Sequence, residues 1–470
     1  MAAERSARKG TSAIWWIILG AVALRVAFAA VGVVRAGGPQ AFYAADSRSY
    51  IRPAEELLAH GRFWTDDHAE LFRTPGYPVM LLPGIILGSV EYVTVALQIG
   101  LSALTIWLVW VLARRVTGDD LAALVAAASY AIEPVALTSS VQLLSETLAA
   151  VFIVVTLVLV TRYLDDRRAR WAVGAGVALA AATYVRPITT YLPILIVALA
   201  LVWAALRRAD GWRVVAHSLL FFAVTIGALV PWIARNRAVA DYSGLAVVGD
   251  SDLYFYCAVP VIAEREGVPV GVLQERLGWP SEQQYFAVHP DRRGLTPGAR
   301  YRAMRADALD VMRQAPIASA RNMLRGMVRV IVNPGTGPFH EILRLYPPQA
   351  DFSDKLIGAG PIGSAWVLLR ERPGLFWLAL FIAGFMGAAY LFAATSLAVR
   401  SFRTNPAVIA FLAVAAYFVV TGGPGLSARL RHPIMPIVCI FAGQGLVAVI
   451  DWWRRRKAAP EADPDTRTSH

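Results

Sequence analysis

The chain has 470 residues, 57% of them hydrophobic, and its apolar residues fall in blocks of about 17 to 25, the length that a helix needs to cross a bilayer. A mean hydropathy of +0.51 excludes an ordinary soluble domain. The formal charge of +12 would suggest a nucleic-acid partner for a soluble protein, but here the basic residues cluster at the ends of the apolar blocks, where they indicate orientation in a membrane.

The apolar blocks predict an all-α polytopic membrane protein with a bundle of about 10 to 12 transmembrane helices. The first block follows Arg5, Arg8 and Lys9 but is longer than the apolar core of a secretory signal, so we predict a retained first span. The predicted spans are residues 13–34, 91–113, 121–139, 143–161, 171–187, 188–206, 213–233, 374–398, 405–421 and 433–453.

Basic residues mark every second loop between these spans. They predict that those loops and both termini are cytoplasmic. The apolar stretch 77–88 is too short to cross and contains Pro78, Pro83 and Gly84, so we predict a re-entrant or interfacial segment on the outer face. The basic residues are Arg114 and Arg115, then Arg162, Arg167, Arg168 and Arg170, then Arg207, Arg208 and Arg213, then Arg400 and Arg403, and finally Arg454, Arg455, Arg456 and Lys457.

Four segments follow from this topology. Residues 1–235 form an N-terminal transmembrane module whose first outer loop, residues 36–76, carries the candidate catalytic acid. Residues 236–372 form an extracytoplasmic surface region that is turn-rich over 249–278 and helical and amphipathic from about 300 to 332, with an interruption at Pro316. Residues 373–457 are C-terminal transmembrane helices, and the polar tail 458–470 is predicted to be disordered.

The first outer loop contains the acid around which the other candidates are arranged. Asp46 is followed by Tyr50 and by apolar residues at helical spacing. Asp46 could therefore cap a short helix, or it could act as a general base. Three other acids of the same loop rank lower because their spacing is typical of a solvated turn: Asp66, Asp67 and Glu70.

Several charged residues lie at the predicted outer ends of spans. Glu146 begins an apolar run, where it could complement the helix dipole or face a polar pocket. Arg186 ends a span, where it could be a snorkelling anchor or bind a lipid phosphate. The same two alternatives apply to Arg235, Arg429 and Arg431. Further pocket candidates are Tyr50, Arg73, Tyr77 and His432, although Arg73 could instead bind backbone carbonyls in its turn.

Cofactor signals are sparse. The two cysteines, Cys257 and Cys439, exclude a disulfide framework and a CxxC metal site. The seven histidines have no HExxH spacing, so no metal site is predicted, while a divalent cation held by Asp46 stays open.

A series of short motifs runs along nearly the whole chain in a fixed order. They are DSRSY after the first span, RTPGYP, SET at the head of a span, YVRP at the end of one, PWIARN, and RLRHPIMPI before the last span. This series resembles the GT-C superfamily of membrane glycosyltransferases. It is most similar to glycosyltransferase family 39 and to the protein-mannosyltransferase and aminoarabinose-transferase type.

The resemblance implies inverting transfer of one sugar from a polyprenyl-phosphate donor to a lipid, glycan or protein acceptor, with no nucleic-acid partner. It implies Asp46 as general base and Arg186, Arg429 and Arg431, with Arg235 as a further candidate, as ligands of the lipid phosphate. Many relatives have a second acid beside the first, whereas here Ser47 follows Asp46. The expected location is a bacterial plasma membrane, with both termini cytoplasmic and the active site extracytoplasmic.

Two alternatives stay open on the sequence. One is a transporter of lipid-linked sugars or solutes, which would have charged or broken helices at the bilayer centre; Gln98 and Gln142 are the main polar residues there. The other is an oligosaccharide polymerase or ligase. The glycosyltransferase hypothesis requires that Asp46, Arg186 and residues 429–432 meet in one pocket.

Overall fold

The computed structural model describes residues 2–207, 211–279, 282–346, 360–425 and 427–458, and these are almost entirely helical. The helices are, in chain order, α1 (Ala2–Ala36), α2 (Ser47–His60), α3 (Gly76–Ile86), α4 (Val90–Thr117), α5 (Asp120–Ala131), α6 (Pro134–Ser139), α7 (Glu146–Asp166), α8 (Ala169–Val185), α9 (Leu192–Arg207), α10 (Gly211–Ala240), α11 (Val248–Asp252), α12 (Val259–Glu266), α13 (Val270–Arg276), α14 (Glu282–Val288), α15 (Pro297–Gln314), α16 (Pro316–Val332), α17 (Gly337–Leu343), α18 (Gly360–Glu371), α19 (Pro373–Ser396), α20 (Arg400–Arg403), α21 (Pro406–Gly422) and α22 (Met435–Ala458).

Short irregular elements complete the described chain. Strands β1 (Trp64–Thr65) and β2 (His68–Ala69) pair antiparallel as a small hairpin in the first loop. A π-helical turn, Leu253–Ala258, follows α11 directly. A 3-10 helix, Ala428–Ile434, leads into α22.

The predicted fold class, an all-α polytopic membrane protein, is confirmed. Within the described residues, seven helices are long and apolar enough to cross a membrane: Ser12–Ala36, Val90–Thr117, Glu146–Asp166, Pro187–Leu206, Gly211–Ala240, Pro373–Ser396 and Ala428–Lys457. Four shorter apolar helices accompany them: Gly76–Ile86, Asp120–Ala131, Ala169–Val185 and Pro406–Gly422. Every predicted span overlaps one of the helices. We call the end of the bundle that carries residues 37–76 the loop end.

The predicted span 121–139 is not one helix. It breaks between α5 and α6, because Pro134 lacks the N–H that a continuous helix would need. Glu133 caps α6 by accepting a hydrogen bond of 2.6 Å from the Ala136 N–H. A break inside an apolar bundle exposes backbone carbonyls that lipid cannot satisfy. The buried Arg25 side chain donates to the carbonyl of Ala131 at 2.9 Å.

Close helix contacts in the bundle depend on small residues. A Cβ atom on Gly443 would collide with the Ala122 carbonyl of α5, and one on Gly445 would collide with the Phe392 carbonyl of α19. Glycine at both positions therefore allows α22 to pack closely against two neighbouring helices, as small residues do at helix interfaces in membranes.

The region after α10 differs from its prediction. The turn-rich expectation for residues 249–278 is wrong, since α11, the π-helical turn, α12 and α13 occupy most of it. Tyr254, Phe255 and Leu273 are buried in a small core of this layer, and that packing outweighs the local turn signals. The interrupted amphipathic helix is confirmed as α15 and α16, which meet at Pro316. The predicted tail lies outside the described residues from 459 onwards.

Candidate active site

The first loop is anchored so that Asp46 faces the bundle. Asp46 occupies the N-cap position of α2, but its side chain makes no capping hydrogen bond. The neighbouring Ser47 hydroxyl donates instead to the Leu143 carbonyl, 3.0 Å away, and fixes the loop against the segment before α7. The alternative that Asp46 only caps a helix therefore does not describe what its carboxylate does.

Both carboxylate oxygens of Asp46 accept hydrogen bonds from arginines. Arg73 Nη2 donates to Oδ1 at 3.0 Å, and Arg429 Nη2 donates to Oδ2 at 2.6 Å. These two arginines lie 27 and 383 positions further along the chain than Asp46. The predicted meeting of the first loop with the segment before the last span is thus present in the structure.

The RTPGYP turn places Arg73 by means of two other residues. Glu70 Oε1 accepts hydrogen bonds from the backbone N–H groups of Phe72 and Arg73 at 2.6 and 2.8 Å. Glu70 is only 6% exposed, so the expectation that it lies in a solvated turn is wrong. A Cβ atom on Gly76 would lie 2.7 Å from the Tyr184 carbonyl, so glycine there allows the turn to approach the end of α8.

Tyr50 contacts the Arg73 guanidinium, and Tyr77 packs in turn against Tyr50. The guanidinium carbon of Arg73 lies 4.4 Å from the centre of the Tyr50 ring, and Nη1 donates to the Tyr50 hydroxyl at 3.1 Å. The Tyr50 hydroxyl also lies 3.2 Å from the Ser145 hydroxyl. Tyr77 packs edge-on against Tyr50 and donates to Gln98 at 2.7 Å, so it lies behind the site rather than in it.

Glu146 forms a second acid–arginine pair beside the first. Its Oε1 lies 2.5 Å from Arg186 Nη1 and 3.5 Å from Arg429 Nε, so Arg429 bridges the two carboxylates. The Glu146 side chain is 2% exposed. Neither of its oxygens accepts a well-aligned hydrogen bond from the described residues. Charge alone therefore holds Glu146, while Arg429 is also bound to Asp46 and Arg186 donates to the Ser145 hydroxyl at 3.4 Å.

The charge balance of this cluster favours an anion. Its five members, Asp46, Arg73, Glu146, Arg186 and Arg429, are joined by ion pairs at the loop end of the bundle. Three arginines against two carboxylates leave one positive charge in excess. The Arg429 and Arg186 side chains are 27% and 16% exposed, so a ligand can reach them. We call these five residues the arginine–carboxylate cluster.

The arginines of this cluster control the ionisation of Asp46. Partial burial alone would raise the pKa of this carboxyl, but the charges and hydrogen bonds of Arg73 and Arg429 outweigh burial and lower it to about 2. Asp46 is therefore ionised at neutral pH and weakly basic in this state. Its predicted role as general base stays a prediction.

Arg235 is not brought to Asp46. One of its nitrogens donates to the Glu70 carbonyl at 2.8 Å and to the Asn236 amide oxygen at 2.9 Å, and another donates to the Phe63 carbonyl. The guanidinium also lies 4.9 Å from the Trp232 ring centre. Through these contacts Arg235 links α10 to the first loop. We therefore do not include Arg235 among the proposed phosphate ligands.

Arg431 and His432 lie in a deeper, fully enclosed group. Arg431 has no exposed surface and donates to the Asn333 carbonyl, while two of its nitrogens have no hydrogen-bond partner among the described residues. His432 Nε2 lies 3.1 Å from the Tyr130 hydroxyl. Among the described residues, no hydrogen bond or ion pair joins either side chain to Asp46, although Glu146 and Arg186 lie within electrostatic range of His432. Their predicted roles in donor binding stay predictions.

Two charged residues near these groups were missed in the sequence. Arg25, inside the first span, is fully buried and donates to Ser102 at 2.9 Å. Its position in an apolar block could have identified it, because a charged residue there needs a polar partner. Asp252 ends α11 and lies within electrostatic range of Arg73, Asp46 and Arg186. No local pattern distinguished Asp252 from the neighbouring Asp250, because only the tertiary fold brings it to the first loop.

A divalent cation does not fit the arginine–carboxylate cluster. Both of its acids already face guanidinium groups at 2.5 to 3.0 Å, and a cation would add charge to a group with an excess of arginines. Over the described ranges, no group of three or more His, Cys, Asp or Glu side chains could hold a metal ion. We therefore assign no step to a metal.

Fold and site together define a polytopic all-α membrane protein with an arginine–carboxylate cluster at one end of its bundle. A family model described as dolichyl-phosphate-mannose-protein mannosyltransferase matches residues 79–233. The resemblance to GT-C membrane glycosyltransferases is confirmed over that range, which contains Glu146 and Arg186 but neither Asp46 nor Arg429. No protein with a curated description matches the chain in sequence.

Two solved structures are similar at low identity. The archaeal oligosaccharyltransferase AglB from Archaeoglobus fulgidus, in complex with an inhibitory peptide and a dolichol-phosphate, is 16% identical with a TM-score of 0.49, over 94% of this chain and 52% of that chain. ArnT from Cupriavidus metallidurans, bound to undecaprenyl phosphate, is 14% identical with a TM-score of 0.39, over 92% of this chain and 78% of that chain. The chain spans about half the length of the oligosaccharyltransferase. At such low similarity neither structure assigns an activity to this chain.

Proposed function

We propose that this chain is an integral-membrane glycosyltransferase that moves a sugar from a polyprenyl-phosphate-linked donor to an acceptor on the extracytoplasmic face. The observation that carries the proposal is the arginine–carboxylate cluster. It offers one excess positive charge at the end of apolar helices, where the phosphate of a membrane-embedded lipid would lie. The matched family and the two solved structures, whose descriptions name dolichyl phosphate, dolichol-phosphate or undecaprenyl phosphate, are in accord with such a donor.

Arg429 and Arg186 are the proposed ligands of the donor phosphate. Arg429 lies 3.5 Å and Arg186 lies 2.5 Å from the Glu146 carboxylate. The negative charge of an incoming phosphate would compete with Glu146 for both arginines. As the bond between the sugar carbon and the phosphate oxygen breaks, the electron pair goes to that oxygen, and preorganised arginines stabilise the growing charge. Attack of an acceptor oxygen on the opposite face of the sugar gives inversion.

Asp46 is proposed to be essential in this site because it holds Arg73 and Arg429 in place through its two oxygens. It also stays ionised beside the reacting sugar, where positive charge develops in the transition state of glycosyl transfer. Polymerase or ligase chemistry on a longer lipid-linked glycan would use the same phosphate site, and no residue described here favours it.

Binding of undecaprenyl phosphate to the purified protein in lipid nanodiscs tests the phosphate site without knowledge of the sugar. We expect saturable binding, with undecaprenol, which lacks the phosphate, as the ligand control. Arg429→Ala should weaken binding roughly 10-fold to 100-fold, the value of a charge-assisted hydrogen bond or two, and Arg429→Lys should weaken it less.

Arg170→Ala is the matched protein control, since Arg170 is exposed beside Trp171 at the opposite end of the bundle. It should bind undecaprenyl phosphate like the wild type. Equal binding of undecaprenyl phosphate and undecaprenol, or equal affinity of the Arg429→Ala and Arg170→Ala proteins, would contradict the proposed phosphate site.

A further inference from the structure

The helix α11 is fastened to the first loop, which carries Asp46 and Arg73. The Val247 N–H, just before α11, donates to the Leu71 carbonyl at 2.9 Å, two residues from Arg73. Asp250 accepts a hydrogen bond of 3.0 Å from the Tyr242 hydroxyl and pairs with Arg305 at 3.5 Å. These contacts fix the position of the carboxyl group two residues further on, which belongs to Asp252.

Charged groups from two other parts of the chain lie within electrostatic range of Asp252. Asp46 and Arg73 of the first loop and Arg186 at the end of α8 are the groups that act on it electrostatically. The titratable groups on its own turn are Tyr256 and Cys257. From α15, which also packs on α11, Arg305 is directed to Asp250 instead. Asp252 therefore lies within electrostatic range of three of the five residues of the arginine–carboxylate cluster.

Asp252 differs from the two acids of the cluster because it is unpaired. Asp46 has two guanidinium partners and Glu146 has two. The Asp252 side chain makes no hydrogen bond or ion pair with any residue in the described part of the chain, although it is only partly exposed. A carboxylate that lies within electrostatic range of a charged site and has no partner there is available to a ligand.

The two aspartates have opposite acid–base properties. Burial raises the pKa of Asp252 to about 7, with Asp46 adding to the rise and Arg73 and Arg186 reducing it. The pKa of Asp46 is lowered to about 2. Pairs of acids whose environments separate their pKa values in this way commonly divide the roles of proton transfer and charge stabilisation. The optimal general base has a pKa near the working pH.

We propose that Asp252 is the general base of the transfer reaction, and that Asp46 is a positioning residue which holds Arg73 and Arg429. This assignment rests on the proposed function. The acceptor hydroxyl gives its proton to the Asp252 carboxylate while its oxygen forms a bond to the sugar carbon. The bond from that carbon to the phosphate oxygen breaks, and the electron pair leaves with polyprenyl phosphate.

The pH dependence of the initial transfer rate tests the assignment. The donor is a phosphodiester with one constant negative charge over pH 5 to 9, so the donor itself adds no titration. For the wild type, kcat/KM should fall as the pH drops below about 7, since the base must be deprotonated. Asp252→Asn should lower the rate roughly 10²-fold to 10⁴-fold and abolish this acidic limb.

Three further measurements separate the possible causes. Asp252→Asn should keep wild-type binding of undecaprenyl phosphate, which also reports that it is folded, and Asp252→Glu should recover part of the rate with an acidic limb. Asp310→Asn, a charge change at an exposed position of α15, should resemble the wild type. Asp46→Asn should be slow but keep its acidic limb, moved to lower pH because the charge that raises the pKa of Asp252 is gone.

A wild-type profile that is flat from pH 5 to 8, or an acidic limb that survives in Asp252→Asn, would overturn the assignment and return the base role to Asp46. Either result would leave the transferase itself intact. Failure of undecaprenyl phosphate to bind to the wild type would instead defeat the proposed function.

Discussion

At the scale of single residues, Asp46 shows how context decides the use of an acid. Its sequence position suits a helix cap, yet the carboxylate turns to Arg73 and Arg429, and their charge outweighs the cost of partial burial. Sequence analysis could single out Asp46 because an acid just beyond an apolar block is unusual. It could not identify its partners, since Arg429 lies 383 residues away, and only packing brings the two together.

Asp46 should make the stability of the protein depend on pH. Because its folded-state pKa is below the ordinary value of about 3.9, its ion pairs stabilise the fold above pH 4. This stabilisation is lost as the pH falls toward the folded value of about 2. We expect Asp46→Asn to cost roughly 1 to 2 kcal/mol near neutral pH, less than a fully buried pair because 33% of the side chain is exposed.

Thermal unfolding in detergent, followed by tryptophan fluorescence from pH 2 to 7, measures this effect. The difference in midpoint between the wild type and Asp46→Asn should be largest above pH 4 and should shrink toward pH 2. A constant difference across that range would contradict the ion-pair account of Asp46.

At the scale of helices and loops, hydrophobic patterns predicted every span but not the breaks within them. Pro134 could have predicted the interruption between α5 and α6. It was overlooked because the surrounding apolar block is long enough to cross the bilayer as one helix. Arg25 donates to the Ala131 carbonyl at this break, and Gln98 donates to carbonyls of the loop that follows α6. Gln98 donates to the Gln142 carbonyl at 2.7 Å, the shortest of its three hydrogen bonds to the carbonyls of this loop.

Gln98→Leu should therefore destabilise the loop between α6 and α7, on which Asp46 and Glu146 depend. Removing a buried donor leaves carbonyls without partners, so we expect a loss of roughly 2 to 3 kcal/mol and weaker binding of undecaprenyl phosphate. Thr105→Val is the matched control in the same helix, because the Thr105 hydroxyl bonds only to the Leu101 carbonyl of its own helix. Equal midpoints of thermal unfolding for the two variants would contradict this role of Gln98.

The layer after α10 was the least predictable part of the structure. Local turn signals suggested an irregular chain, while the structure has four consecutive helical elements from α11 to α13. Asp252 acquires its surroundings from this layer, so its candidate role could not be derived from a motif. Tertiary packing of Tyr254 and Phe255 under the layer decides its position.

At the scale of the whole molecule, the arginine–carboxylate cluster joins the first loop, two helices in the middle of the chain and the segment before the last helix. The glycosyltransferase hypothesis required that Asp46, Arg186 and residues 429–432 meet in one pocket, and Asp46, Arg186 and Arg429 do meet in this cluster. The basic loops lie at the opposite end of the bundle from the cluster, in keeping with a predicted extracytoplasmic site. Binding sites of many transporters lie near the bilayer midplane, whereas this cluster lies at one end of the bundle.

Sugar transfer in sealed proteoliposomes tests this account most directly. The purified protein is incubated with radiolabelled polyprenyl-phosphate sugars and an extract of envelope acceptors, and the label is separated into lipid, protein and glycan pools. With at least one donor, label should leave its lipid carrier, and polyprenyl phosphate should appear in equal amount. Both should be strongly reduced with Asp46→Asn and with Arg429→Ala. Passage of intact donor across the bilayer, with no lipid phosphate released from any donor, would contradict the account.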